Sequence, residues 1–255
     1  MRGRQRALHL AAGSMLDQPA DVLLRVAAAA GFDGVGLRLS GEHAVNDPAA
    51  TSRTAERLGL KIHDVEVYRI TNDPADPDPL IAQAAAIGAS ALLGVSDLDD
   101  RAATVDALDD LSQRCRRNGL RLALEYMAWT DPSDPLEAID IARQTGCELL
   151  VDLLHHVRVG AGIAELDAIV ASGVLGWVQL CDAPLTQPSK ELLANEARHG
   201  RLLPGQGGLP LANLLSRLPD NVAVSAEVQS DDLLAVEPAM RARMLHDTAR
   251  ALLGH

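Results

Sequence analysis

Aromatic side chains are nearly absent from this chain: Trp, Tyr and Phe together make up 2% of its 255 residues. A core must then be filled by Ala, Leu and Val, and a hydrophobic content of 47% is enough to fill a large one. Cysteine is equally scarce. Cys115, Cys147 and Cys181 are too few and too scattered for a disulfide framework or a structural zinc site, and their use points to a reducing, cytoplasmic setting. Basic residues are outnumbered, 23 Lys and Arg against 35 Asp and Glu, for a net charge of −12. That sign argues against nucleic acid as a partner, although a few local arginines would still serve a small anionic substrate. No apolar run approaches the ~18 residues of a membrane span, so no membrane partner is expected. The basic start, followed by His9 and Gly13-Ser14, makes a poor signal peptide and reads as a lead into a first strand.

What the chain does have is repetition. Short apolar runs alternate with helical patterns that open on Pro or Asp-Pro and stop at Gly. Asp47-Pro48 to Gly59 and Asp134-Pro135 to Gly146 are two clear cases. The strands are expected near 7–12, 34–39, 60–67, 90–95, 120–126, 147–152, 176–181 and 221–228. Alternating strands and helices imply parallel βαβ units. Eight units with no break in composition fit one α/β domain over 1–255, a single (β/α)8 TIM barrel, which needs about 250 residues. A doubly wound sheet would want a Gly-rich phosphate loop between a strand and a helix, and Gly205 to Gly208 is not placed that way.

Parallel strands present their reactive ends at the carboxyl edge. Four of these strands end in a group able to bind a cation: Glu125, Asp152, Gln179 and Glu227. Glu125 to Asp152 and Asp152 to Gln179 are each 27 residues, one βα unit per step. Period-two alternation puts Glu125 on the face of Ala123, and Glu227 on the face of Ala223 and Ser225. Small neighbours suit a narrow barrel interior, where several ionised carboxylates are costly without a cation. One divalent cation is therefore expected, Mn²⁺ or Mg²⁺ from the oxygen donors, with Co²⁺ or Zn²⁺ as alternatives. Arg38, Arg158 and Arg201 are candidates to bind a substrate carboxylate or phosphate, because guanidinium matches those groups bidentately. Glu66, near the end of the third strand, is a further substrate contact. Asp182 is placed to line the pocket or orient Arg201. His9, Trp177 and Cys181 read as core.

The segments LALEYMAW (122–129), VDLLHH (151–156), VQLCDAP (178–184), RLLPGQG (201–207) and SAEV (225–228) together carry a resemblance. Over nearly its whole length the chain resembles the xylose isomerase-like TIM-barrel superfamily, the sugar phosphate isomerase/epimerase group related to endonuclease IV. The resemblance implies that Glu125, Asp152, Gln179 and Glu227 hold one divalent metal. It also implies that His155, in the Asp-x-x-His pattern, lies beside the substrate, and that Arg201 matches the Arg before Pro-Gly-x-Gly. Ketose epimerases have His where this chain has Gln179, whereas relatives resembling 3-dehydroshikimate dehydratases also carry Gln. The implied activity is a metal-dependent isomerase or epimerase on a keto sugar or related hydroxy-carbonyl compound, with Glu125 and Glu227 as the proton-transfer pair. A dehydratase-like lyase is the alternative, and a barrel that binds a small ligand or partner without turnover is the third reading. A homo-oligomer is compatible with all three.

Overall fold

The computed structural model describes residues 6–39 and 44–254. The expected loop at 40–43 lies outside them. Eight parallel strands close into a barrel in sequence order, with β1 bonded to both β2 and β8. The strands are β1 (Leu8–Leu10), β2 (Gly34–Arg38), β3 (Lys61–Ile70), β4 (Ala91–Ser96), β5 (Arg121–Glu125), β6 (Glu148–Asp152), β7 (Leu175–Leu180) and β8 (Ala223–Ala226). The helices that cover them are α1 (Ala20–Ala30), α2 (Pro48–Leu58), α3 (Asp78–Ala86), α4 (Arg101–Arg117), α5 (Pro135–Thr145), α6 (Leu153–Arg158), α7 (Ile163–Ser172), α8 (Leu193–His199), α9 (Leu211–Leu215), α10 (Asp231–Leu234) and α11 (Pro238–Leu253).

The local causes are those the sequence carries. Asp47 and Asp134 each accept backbone N–H bonds from the first turn of the helix they open, with Pro at the first helical position. Gly59 and Gly146 then take left-handed φ values of 72° and 66° to end α2 and α5. Two bodies of apolar packing result. The larger lies between strands and helices and is built mainly of Leu, Ile, Val and Ala. The smaller fills the barrel lumen with Ala91, Leu93, Ala123, Leu150 and Trp177. One of only two tryptophans thus plugs the barrel beneath the carboxyl edge. His63 meets Trp177 edge-on at 4.9 Å and stacks on His9 at 4.3 Å. Burial holds His9 and His63 neutral, lowering their pKa values to about 4 and about 3.

Three boundaries depart from expectation. β3 runs to Ile70 rather than Val67, because its pairing with β4 resumes after an irregularity between Val65 and Tyr68. β8 stops at Ala226, so Glu227 lies just past its end. A helix absent from the sequence reading, α6, begins directly after β6. Asp152 caps it, accepting from Leu154 N at 2.7 Å and His155 N at 3.2 Å. The three cysteines are buried and free, and among the described residues no helix is long and apolar enough to cross a membrane.

Candidate active site

The carboxyl ends of the strands open into a cleft of about 430 Å³. Glu125, Glu227, His155, Arg201, Glu66 and Arg38 all line it. The barrel's stagger sets their heights. Asp152 pairs with Gln179 across β6 and β7, while Glu125 pairs with Leu150, two residues below Asp152. Gln179 in turn pairs with Ser225, two residues below Glu227. The four strand-end groups therefore converge from adjacent strands without forming a flat ring.

Donor atoms of Glu125, Asp152 and His155 lie within 4.8 Å of one another, all buried, and such a group is able to hold a metal ion. Gln179 is also buried, and neither its amide oxygen nor its amide nitrogen has a hydrogen-bond partner among the described residues. An amide left unpaired in a barrel interior is costly, and a cation on its oxygen is one way to satisfy it. The donor set, mostly hard oxygens around one histidine, fits a divalent cation.

Arg201 stands among the same acids. Its Nη1 lies 2.5 Å from Asp152 Oδ2 and 3.1 Å from Glu227 Oε2, and its Nε donates to Ala197 O at 2.7 Å. Its Nη2 is 3.4 Å from His155 Nε2, and that imidazole nitrogen is 3.8 Å from Glu125 Oε1. The protonation states follow from burial and from this one guanidinium. Burial pushes Asp152 up, but Arg201 and His155 outweigh it and bring the carboxyl down to about 2. Burial raises Glu227 to about 8, with Arg201 opposing and Glu66 and Asp152 adding to the rise. Glu125 is held well above the ordinary carboxylate range by burial, then by Glu227 and Asp152. His155 is lowered to about 4 by burial and is neutral at pH 7. One cation does not neutralise this cluster, and the acids answer by retaining protons.

The histidine pair is fixed from behind. His156 Nε2 faces the Gly162 carbonyl at 2.8 Å, so it donates there and Nδ1 accepts from the Tyr126 hydroxyl at 2.7 Å. Trp129 meets the His155 ring edge-on at 5.1 Å and lines the cleft beside it.

Two expected substrate contacts are placed elsewhere. Arg158 is buried against α8, forming a fork on Glu196 at 2.7 and 2.8 Å and donating to Pro184 O at 2.7 Å. Asp182 has no face on the cleft. Its carboxylate accepts from the backbone N–H groups of Ala183, Gly205 and Leu209. It also exchanges backbone bonds with Leu202, which sets the position of Arg201 one residue earlier. Arg158 as a substrate contact is a correction, and so is Asp182 as a lining residue, while the other role expected of Asp182, orienting Arg201, agrees with its bonds to Leu202. The Arg158–Glu196 pair is 2% and 11% exposed, so Arg158→Met strands a buried carboxylate. A loss of about 3 kcal/mol in urea unfolding is expected.

Several residues of the site were not singled out in the sequence. Gly13 makes room for Glu227, whose Oε1 would overlap a Cβ at that position. Asp64 is fully buried one alternate position before Glu66, with both oxygens unpartnered among the described residues, and burial and then Glu227 raise it to about 7. Period-two spacing back from Glu66 was a usable signal for it. Arg198, in the last turn of α8, and Gln229, two residues past Glu227, also line the cleft.

The family model described as "Xylose isomerase-like TIM barrel" matches residues 24–247. The chain belongs to the xylose isomerase-like TIM barrel family. A 3-dehydroshikimate dehydratase from Pseudomonas aeruginosa is 28% identical over 215 residues, which is 76% of this chain. The match covers only 33% of that relative's length. Among solved structures, the IolI protein with a bound zinc atom superposes with a TM-score of 0.84 at 15% identity, covering 97% of this chain and 98% of that one. A D-allulose 3-epimerase from Methylomonas sp. gives 0.74 at 18% identity, covering 99% and 100%. At these identities the two structures show the fold. The dehydratase is thus a relative by sequence over part of its length, and the epimerase and the IolI protein share the fold.

Proposed function

We propose that this protein removes the proton α to the carbonyl of a small hydroxy-carbonyl compound, using one divalent cation, and that loss of a β-hydroxyl follows. The cation is Mn²⁺ or Mg²⁺, held by Glu125, Asp152, Gln179 and Glu227. When bound it supplies Lewis-acid stabilisation to negative charge on the substrate oxygens. Glu125, ionised once a bound cation offsets the burial and the neighbouring acids that hold its pKa up, takes the α-proton. It makes no ion pair with an arginine among the described residues, and His155 Nε2 lies 3.8 Å from its Oε1. The same carboxyl then returns that proton to the departing β-hydroxyl, so one group serves both halves of a dehydration. His155, neutral and braced by Trp129, holds a substrate oxygen. Trp129 and Met127 narrow the mouth and limit water.

The observation that carries the lyase reading is the Arg201–Glu227 contact at 3.1 Å, which leaves Glu125 as the unpaired base. The dehydratase match supports it. A second reading, isomerase or epimerase, is favoured by the high pKa of Glu227, about 8, which gives the opposite wall of the cleft a proton to deliver. Both readings are separated by running the Mn²⁺-loaded protein in D₂O on a panel of keto sugars and hydroxy-keto acids. Elimination yields a conjugated product that has lost water. Isomerisation yields a product that differs from its substrate in mass only by incorporated deuterium. Metal-loaded protein that turns over nothing in the panel would point instead to a ligand-binding barrel.

A further inference from the structure

The cleft has an acidic floor and a basic rim. Glu66, Glu125 and Glu227 line it, and Asp152 is buried against Arg201 beside them. Arg38, Arg69, Arg198 and His199 line its outer part. These basic side chains are not equivalent. Arg69 Nη1 is held by both oxygens of Asp97, at 3.0 and 2.9 Å. His199 Nδ1 is 3.0 Å from Asp231. Arg201, deeper in, is committed to Asp152 and Glu227. Among the described residues Arg38 has one long ionic contact, 3.8 Å from Glu66 Oε2, and its Nε has no partner. Arg198 is exposed on α8 and faces the cleft with no carboxylate partner among the described residues.

We infer that the substrate carries an anionic group, a carboxylate or phosphate, held at the rim by Arg38 and Arg198. The two side chains come from separate elements, the end of β2 and the last turn of α8, and both line the one cleft. A guanidinium offers five N–H donors, and these two retain most of theirs for a ligand. The electrostatics also fix the substrate's direction. The uncommitted positive charge lies at the rim, so an anionic group is seated there and the hydroxy-carbonyl end enters first. A neutral sugar gains nothing from this polarity and has no such preferred orientation. The inference rests on the proposed chemistry only for the identity of the inward end; the rim itself is tested without turnover.

The test is direct binding of inorganic phosphate and of acetate to the full chain by calorimetry at low ionic strength, with neutral acetamide as the reference. The wild-type protein is expected to bind at least one anion in preference to acetamide, and to bind it more weakly as salt is added. Arg198→Gln and Arg38→Gln are each expected to weaken that binding about tenfold, the worth of one charge-assisted bond. Arg217→Gln, which removes a surface pair with Asp167 far from the cleft, is the control and leaves binding unaltered. Whether the loss falls on phosphate or acetate identifies the anion. Arg198 lies on the surface, so its variant tests the rim even should Arg38→Gln unfold. Wild-type protein that binds neither anion above acetamide, or an Arg198 variant that binds both anions as tightly as wild type, overturns the inference. Anion binding lost in the variants, with no hydroxy-carbonyl compound turned over, would keep the rim and remove the proposed reaction.

Discussion

Glu125→Gln is expected to lower turnover about 10³-fold while leaving the fold intact. The substitution is nearly isosteric, and the carboxylate it replaces sits at the end of β5 with no hydrogen bond closer than the 3.8 Å approach of His155. No structural bond is lost. A neutral amide among Glu227, Asp152 and Glu66 also relieves the repulsion that, after burial, keeps Glu125 from ionising. Stability is therefore expected to hold or rise, which separates a catalytic loss from a folding one. The glutamine keeps a carbonyl oxygen for a cation, so Mn²⁺ affinity is measured on the variant first and turnover compared at saturation. A variant that is fully metal-loaded and works within threefold of wild type removes Glu125 as the base.

Arg201→Met is expected to cost about 3–5 kcal/mol of stability at pH 7 in the absence of metal. The guanidinium is the one cation set between two buried carboxylates, at 2.5 Å from Asp152 and 3.1 Å from Glu227. Glu227 can answer its loss by keeping a proton, since its pKa is already about 8. Asp152 has further to go. Its folded pKa, about 2, lies below the ordinary 3.8, against the push of burial and because of Arg201 and His155. A depressed carboxyl contributes stability that is present above its unfolded pKa and lost as pH falls through the folded value. The variant forfeits that contribution. Its deficit is therefore greatest near neutral pH and shrinks towards pH 3, where Asp152 is already mostly protonated in the unfolded chain while the folded wild type still holds it ionised. Added Mn²⁺ is expected to restore part of the loss by supplying positive charge to the same oxygens. Urea melts of both proteins at pH 7 and pH 3, with and without Mn²⁺, check each statement. Equal stability at pH 7 contradicts the assignment of Arg201 as the counter-charge.

The barrel was legible because its signals are local. Asp47-Pro48 and Asp134-Pro135 start helices by supplying a cap and a preset φ, and Gly59 and Gly146 stop them, whatever lies around. The acidic strand ends were legible because alternation fixes which residues face inward. Asp152 as the cap of α6 was missed, since a helix of six residues has no periodicity to detect. Arg158 was misplaced, and Asp182 was given a lining role beside its orienting one, for a different reason. A charge beside the site in sequence carries no mark of its partner, and Glu196, 38 residues on, and Leu209, 27 on, took them into the scaffold. Arg198 had the converse fate. Three residues before Arg201, it was not singled out in the sequence, and only the fold of α8 over the cleft brings it there. Gly13 and Asp64 matter through space, one by leaving room for Glu227 and one by burial beneath Glu66.

The central claim is that one divalent cation resolves the charge conflict at the strand ends. Crystals soaked in Mn²⁺ and measured by anomalous diffraction test it directly. The expected result is a single strong peak inside the barrel mouth, in contact with carboxylate oxygens of Glu125, Asp152 and Glu227 and with the amide oxygen of Gln179. Saturated crystals with no peak there, Arg201 still bridging Asp152 and Glu227, would contradict it.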